Sequence, residues 1–401
     1  MPSSLTTASV PAPVAGIDQL SRSAGTSRID GIDILRGLSI LAVVVHHVNL
    51  RIRLEKTPLG PYLSKSAISF LGWNGANGVF VFFAISGFLI TTTCLRRWGS
   101  LDRISLKGFY RIRFARIAPC LLALLAILSA LHLIGAKYFI IQHTTLARAL
   151  TAALTFHVNW LESATGYLPG NWDVLWSLSN EEMFYLFFPV LCVVLRSRKL
   201  LIPALLLFVA TGPFARTVLS RNELWRDYGY LSAMDAIALG CLAAMLAQSI
   251  KLSDRVSLIL QICGAAISLF IVTFKRTVSS MGFYRTGLDI TLLAIGVCLM
   301  LIAISQRNRA GSWWTAAIRW FGRNSYEVYL THMFVVFGLY RIFETMGSPF
   351  RWSLIWYASI VPLSGILGAV VAKYFSEPLN RRLRPRFHTG SAMTNTSAHS
   401  S

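Results

Sequence analysis

Two adjacent histidines, His46 and His47, stand deep in an apolar stretch that opens with Asp33 and Arg36. An imidazole can take and return a proton near neutral pH, so a histidine at membrane depth is a candidate for proton chemistry. If the stretch is helical, the eleven positions from Arg36 to His47 turn the chain by about 1100°, which leaves the pair about 20° apart on one face and about 16 Å apart along the axis. His46 then points about 80° away from that face. His47 is the histidine expected to share a cavity wall with Arg36. The competing use of the same residue is a hydrogen bond between packed helices.

A second group of candidates lies between Arg96 and Arg116, where seven basic residues meet one acid, Asp102. Its end reads Phe-Tyr-Arg-Ile-Arg-Phe-Ala-Arg-Ile-Ala-Pro, from Phe109 to Pro119. Arg113 and Arg116 are three apart, so on a helix they project together. Guanidinium groups beside aromatic rings suit a phosphate-bearing ligand, because they grip phosphate in a fork and stack on rings. Arg96, Arg97 and Arg103 read more simply as loop charge on the inner side of a membrane. A third group is Glu181 and Glu182 in Trp176–Pro189, two adjacent acids entering an apolar run. Glu181 lies four residues before Tyr185, on its face. Asp235 and His332 are further polar insertions, each as consistent with a structural as with a functional role.

The elements that must position these residues are membrane helices. The 401 residues are 54% hydrophobic and 14% charged, with mean hydropathy +0.56. Soluble chains carry about 25% charged residues. Runs such as Ala118–Ile134, Leu200–Ala210, Val256–Phe274 and Leu288–Ser305 recur along the chain, most of them near the roughly 20 residues a spanning helix needs. The fold class expected is all-α, a polytopic transmembrane bundle. Segments near 34–50, 75–95, 117–135, 174–195, 200–215, 229–248, 256–274, 288–305, 325–340 and 353–375 give about ten crossings. Segment 144–161 is weak, for it holds Arg148, His157 and Asn159. Left out of the count, it gives both termini a cytoplasmic position and puts most Lys and Arg inside; counted as a crossing, it evens the two sides. It is therefore expected to be re-entrant or interfacial.

The balance of 38 Lys and Arg against 17 Asp and Glu, formally +21, would point to nucleic acid in a soluble protein. Here the basic residues fill short gaps between apolar runs, and no nucleic-acid partner is expected. The six cysteines form no CxxC and no metal-ligand spacing, so they are expected to be small core hydrophobes, with no metal site. Residues 1–28 and 388–401 are polar and small, and are expected to be disordered tails around one membrane domain, 29–387. The first of them lacks the h-region of a signal peptide.

These residues resemble the acyltransferase 3 family of membrane O-acyltransferases over about Ile29–Arg386. Gly31–His47 is similar to the family's Asp-x-x-Arg-Gly opening, in which ten residues separate Arg from the catalytic His; that spacing selects Arg36 and His47. Gly78–Thr91 resembles its second-helix signature and Phe109–Pro119 its arginine motif. Trp176–Pro189 resembles Trp-Ser-Leu-x-x-Glu-x-x-Phe-Tyr, which favours Glu181 over Glu182, and Asn324–His332 resembles Ser-Tyr-x-x-Tyr-Leu-x-His. Ile112 departs from the pattern where an arginine is frequent, and His46 where an aromatic or apolar residue is usual. The resemblance implies transfer from acyl-CoA, usually acetyl-CoA, to a hydroxyl of a carbohydrate or related acceptor, in a bacterial inner membrane. It implies His47 as base or transient acyl carrier, and Glu181 as the residue that orients a histidine or holds the acceptor. Arg113 and Arg116 would sit on the CoA phosphates, with Arg36 at the cavity mouth. The rival expectation is a proton-coupled transporter or flippase, although the paired halves usual in transporters are not evident.

Overall fold

A computed structural model describes residues 28–220, 222–307 and 310–384. The two expected tails lie outside the described residues apart from Arg28, as does the expected domain end at 387. Among the described residues there are helices and no strands. The chain forms α1 (Asp30–Arg51), α2 (Lys65–Gly72), α3 (Gly75–Trp98), α4 (Leu106–Leu133), α5 (Leu146–Leu154) and α6 (Val158–Thr165). There follow α7 (Leu175–Leu195), α8 (Arg198–Thr217), α9 (Glu223–Tyr228), α10 (Tyr230–Ser249), α11 (Asp254–Thr273) and α12 (Lys275–Ser280). The last third holds α13 (Leu288–Arg307), α14 (Ala316–Arg323), α15 (Ser325–Thr345), α16 (Ser353–Val371) and α17 (Glu377–Leu383). Helix is what a chain this apolar must form, since hydrocarbon offers no partner for a free backbone N–H or C=O. The ends are set locally. The Ser105 hydroxyl accepts from the Gly108 N–H to start α4, and Gly99 at φ 76° stops α3.

Nine helical stretches among the described residues are long and apolar enough to cross a membrane. The tenth expected crossing, α15, is 21 residues long, but Glu327, His332, Arg341 and Glu344 make it too polar to join the nine. Segment 144–161 breaks into α5 and α6, with Phe156 at φ 58° between them. At 9 and 8 residues, each spans about 14 Å or less, so neither crosses a core of about 30 Å. Contacts between α1 and α15 give independent support. Arg36 meets Ser325 and His47 meets His332, so the two helices run parallel. Seven crossings between them produce that direction; an eighth would reverse it.

Burial separates the bundle centre from its lipid-facing rim. In an 18-residue apolar window of Glu223–Ser249, 72% of the residues are buried, whereas in that of Asp254–Thr273 only 17% are. Small residues let the central helices meet. A Cβ on Gly87 of α3 would strike the Ile237 carbonyl, and one on Gly240 of α10 the Ala84 carbonyl. Only glycine permits that approach of two backbones in a membrane. Five cysteines are buried as expected, but Cys263 is exposed on the outward α11.

Asp235 has a structural partner. Arg216 of α8 donates to both Asp235 oxygens at 3.1 and 2.6 Å, to the Thr291 hydroxyl at 2.7 Å, and to the carbonyls of Ser232 and Gly287. The Thr291 hydroxyl donates in turn to Asp235 Oδ2 at 2.5 Å. This network ties α8, α10 and α13 together.

Candidate functional site

The site is built on α1 and α15, with contributions from α4 and α7. On α1, His47 and His46 face different neighbours, as their spacing requires. His46 Nδ1 lies 3.1 Å from the Gly72 carbonyl, and its ring meets Trp73 edge-on at 5.7 Å. His47 points to α15, where its Nδ1 lies 3.2 Å from His332 Nε2 and 2.8 Å from the Val43 carbonyl. The two rings are 4.9 Å apart. His332 is fully buried, and its Nδ1 donates to the Tyr329 carbonyl at 2.8 Å.

Below the histidines the polar residues are cationic. Arg36 donates through Nε and Nη2 to the Ser325 hydroxyl at 3.1 and 2.8 Å. Charges of Arg116, Asp33, Glu327 and Glu181 act on it directly. Arg113 of α4 donates to Glu182 Oε1 at 2.9 Å and lies 3.7 Å above the centre of the Tyr185 ring, while its Nε has no partner. Arg116 lies 5.6 Å over the Tyr326 ring. Glu181 sits beside Ser86, within reach of the charges of Arg113, Arg36 and Arg116. The structure thus gathers Arg36, Arg113, Arg116 and Glu181 into one cluster and sets His47 apart from it, further along α1.

The rest of the cluster was harder to read from sequence. Glu182, which motif spacing passes over, is the acid that pairs with Arg113. Ser325 holds Arg36, and His332 contacts His47; both lie in the Asn324–His332 stretch already singled out, but nothing along the chain says what they touch. Ser86 on α3 and Tyr185 on α7 are hydrogen-bonded to one another, closing the floor of the cluster.

Beside His332 the polar residues continue onto the start of α7. The Tyr329 hydroxyl donates to the Val174 carbonyl at 3.0 Å and pairs with the Ser177 hydroxyl at 2.7 Å. Asp173, next in the chain, accepts from the Tyr228 hydroxyl at 3.3 Å, and the Tyr228 ring stacks on Trp176 at 4.1 Å. Burial, followed by the charge of Asp173, lifts the carboxyl of the neighbouring Glu162 well above the usual carboxylate range. Asn171 Oδ1 and Trp172 Nε1 are buried without a hydrogen-bond partner. Carboxylates, amides and aromatic faces in one place suit a polyhydroxylated ligand. Among the described residues no group of His, Cys, Asp and Glu could hold a metal ion.

The sequence matches the acyltransferase domain family over residues 29–374. It is 27% identical over 329 residues to the peptidoglycan O-acetyltransferase OatA of Listeria monocytogenes, covering 76% of this chain and 49% of that protein. It is 29% identical over 181 residues to the O-acetyltransferase OatA of Staphylococcus aureus, covering 42% of this chain and 26% of that one. The chain therefore spans about half the length of the first relative and about a quarter of the second. No solved structure matches it.

Proposed function

Since the chain belongs to the acyltransferase 3 family of integral membrane O-acyltransferases, we propose that it carries an acetyl or similar short acyl group from acyl-CoA to a hydroxyl of a glycan or related acceptor. One observation carries this reading: two parallel helices, α1 and α15, hold a histidine pair at one level and Arg36 about three turns below it along α1, where α4 adds Arg113 and Arg116. Such an arrangement fits a donor whose anionic head and reactive carbon are joined by a long flexible arm. Arg113, Arg116 and Arg36 are assigned to the CoA phosphates, with both termini of the chain on that cytoplasmic side of a bacterial inner membrane. Glu181, among three arginines, holds them in place and keeps the cluster from excess positive charge. The acceptor is assigned to the opposite end, against Asp173, Glu162 and the Tyr228–Trp176 stack.

The chemistry follows from what the histidine can do. His47 Nε2 takes the proton of the acceptor hydroxyl while that oxygen attacks the thioester carbonyl carbon. A C–O bond forms and the carbonyl becomes an oxyanion, which requires hydrogen-bond donors to stabilise it. Collapse of the oxyanion breaks the C–S bond, and the imidazolium returns its proton to the departing sulfur, giving the ester and free CoA thiol. This is acyl transfer by direct attack. A transient acyl-histidine would instead place the acyl group on the same Nε2 before the acceptor enters.

The test sets the adjacent histidines against each other. Purified protein in lipid is given radiolabelled acetyl-CoA and a peptidoglycan or oligosaccharide acceptor. His47→Ala is expected to fold and to lose roughly 10²–10⁴-fold in transfer rate, the usual size of a general-base contribution. His46→Ala, which removes contacts to Gly72 and Trp73, is expected to stay within a few-fold of wild type. An active His47→Ala beside an inactive His46→Ala would sink the assignment.

A further inference from the structure

The hydrogen-bond pattern around His332 points to a role for this residue in setting the state of His47. A backbone carbonyl can only accept, so the nitrogen facing it must carry the hydrogen. His332 Nδ1 faces two such carbonyls, Tyr329 at 2.8 Å and Val328 at 3.1 Å, and so it is protonated. His47 Nδ1 faces the Val43 carbonyl at 2.8 Å and is protonated for the same reason. At 3.2 Å from that N–H, His332 Nε2 must be a bare acceptor. Were it protonated too, two N–H groups would point at each other inside a packed interface. The hydrogens are thereby assigned: His47 Nδ1–H is shared between Val43 and His332, and His47 Nε2 is left with its lone pair free.

We infer that His332 is a positioning residue for the transfer, a neutral imidazole that accepts from His47 Nδ1–H, aims His47 Nε2 at the acceptor and stabilises the imidazolium formed there. The inference rests on the assignment of His47 as base. The role is that of the third member of a catalytic triad, taken by a neutral acceptor in place of a carboxylate. The reason lies in the surroundings. A carboxylate buried at this depth would need a cation to offset it, whereas an imidazole held by its own helix's carbonyls needs none. When His47 takes the acceptor proton, its N–H becomes charged and its bond to His332 strengthens, so the contact matters more in the transition state than before it. The effect should therefore appear in kcat and leave the donor KM nearly unchanged.

The experiment compares His332→Leu, which has no acceptor, with His332→Gln, whose amide oxygen reaches about where Nε2 stood. His332→Leu is expected to lower kcat roughly 10- to 100-fold, the usual weight of a hydrogen bond to a charged group, with KM for acetyl-CoA within about twofold. His332→Gln is expected to recover most of the loss. A purely structural role predicts no such rescue, so equal kcat in the two folded variants overturns the inference. Nitrogen-15 NMR of the histidines in folded wild type in lipid gives a readout independent of turnover. It is expected to find Nδ1 protonated and Nε2 bare in both His47 and His332, and a protonated Nε2 on either neutral ring overturns the inference. His47→Ala in the same assay separates the two levels. If it stays active, the base assignment itself fails. If it is inactive while His332→Leu turns over like wild type, only the positioning role fails.

Discussion

Two groups of arginines occupy the same bundle and treat their donors in opposite ways. Arg216 has its guanidinium closed on every side, by Asp235, Thr291 and the carbonyls of Ser232 and Gly287. Arg36, Arg113 and Arg116 are underused: they meet one hydroxyl, one carboxylate oxygen and aromatic faces. Desolvating a cation is costly, and complete hydrogen bonding is what makes a buried one tolerable. The Arg216 network therefore reads as a lock between helices. The cluster on α1 and α4 leaves hydrogen-bonding capacity unfilled, as the proposed donor site requires.

The largest expected effect comes from opening the closed site. Arg216→Met leaves Asp235 buried without its cation, a change of about 3–5 kcal/mol in comparable pairs. Little folded protein should remain in the membrane, as read by detergent-solubilised yield and thermal unfolding. Adding Asp235→Leu should restore much of the yield, because removing both charges removes the uncompensated one. If Arg216→Met folds like wild type, the contrast between the two groups collapses.

An intermediate effect is expected in the open cluster. Arg116→Ala should leave folding intact, and both it and Arg113→Ala should raise KM for acetyl-CoA by about tenfold, the weight of a lost charge-assisted hydrogen bond to phosphate. Acceptor KM should move little. Arg113→Ala also strands Glu182, so its fold is the more sensitive and needs a matched thermal-unfolding control. Loss of acceptor affinity with unchanged acetyl-CoA affinity would move the donor elsewhere.

The smallest effect sharpens the comparison by making one substitution in both places. Arg116→Lys keeps the charge and gives up the forked geometry, so KM for acetyl-CoA should rise only about threefold, at the low end for one weakened contact. Arg216→Lys cannot serve Asp235, Thr291 and two carbonyls at once, and should still melt at markedly lower temperature than wild type. Equal tolerance at both positions would mean that donor closure is not what distinguishes them.

Much of the architecture could be read in the sequence because a membrane makes helix obligatory and apolar length informative. The nine strong crossings follow from hydropathy, and the weak segment 144–161 was recognisable by Arg148, His157 and Asn159, polar residues that its broken helices now expose or hydrogen-bond. That His46 and His47 face different neighbours was also legible, since it depends only on rotation along one helix. What could not be read is pairing between helices. The His47–His332 contact joins positions 285 apart, and Arg216–Asp235 joins α8 to α10 through side chains whose spacing carries no periodic signal. Glu181 and Glu182 show the limit most sharply. Adjacent residues on one helix point about 100° apart, and only the packed position of Arg113 decides which of them it meets.

The parallel pairing of α1 with α15 also has a consequence for the order in which the protein comes into being. Chain synthesis delivers His47 and Arg36 to the membrane with the first helix, while Ser325 and His332 emerge only after seven further crossings have been laid down. Through most of its biogenesis the nascent protein thus carries half of each contact. A chain stopped before Ser325 inserts most of its helices yet has neither the histidine pair nor the anchored Arg36. Both contacts close in a single late event, when α15 comes in beside a helix made long before it.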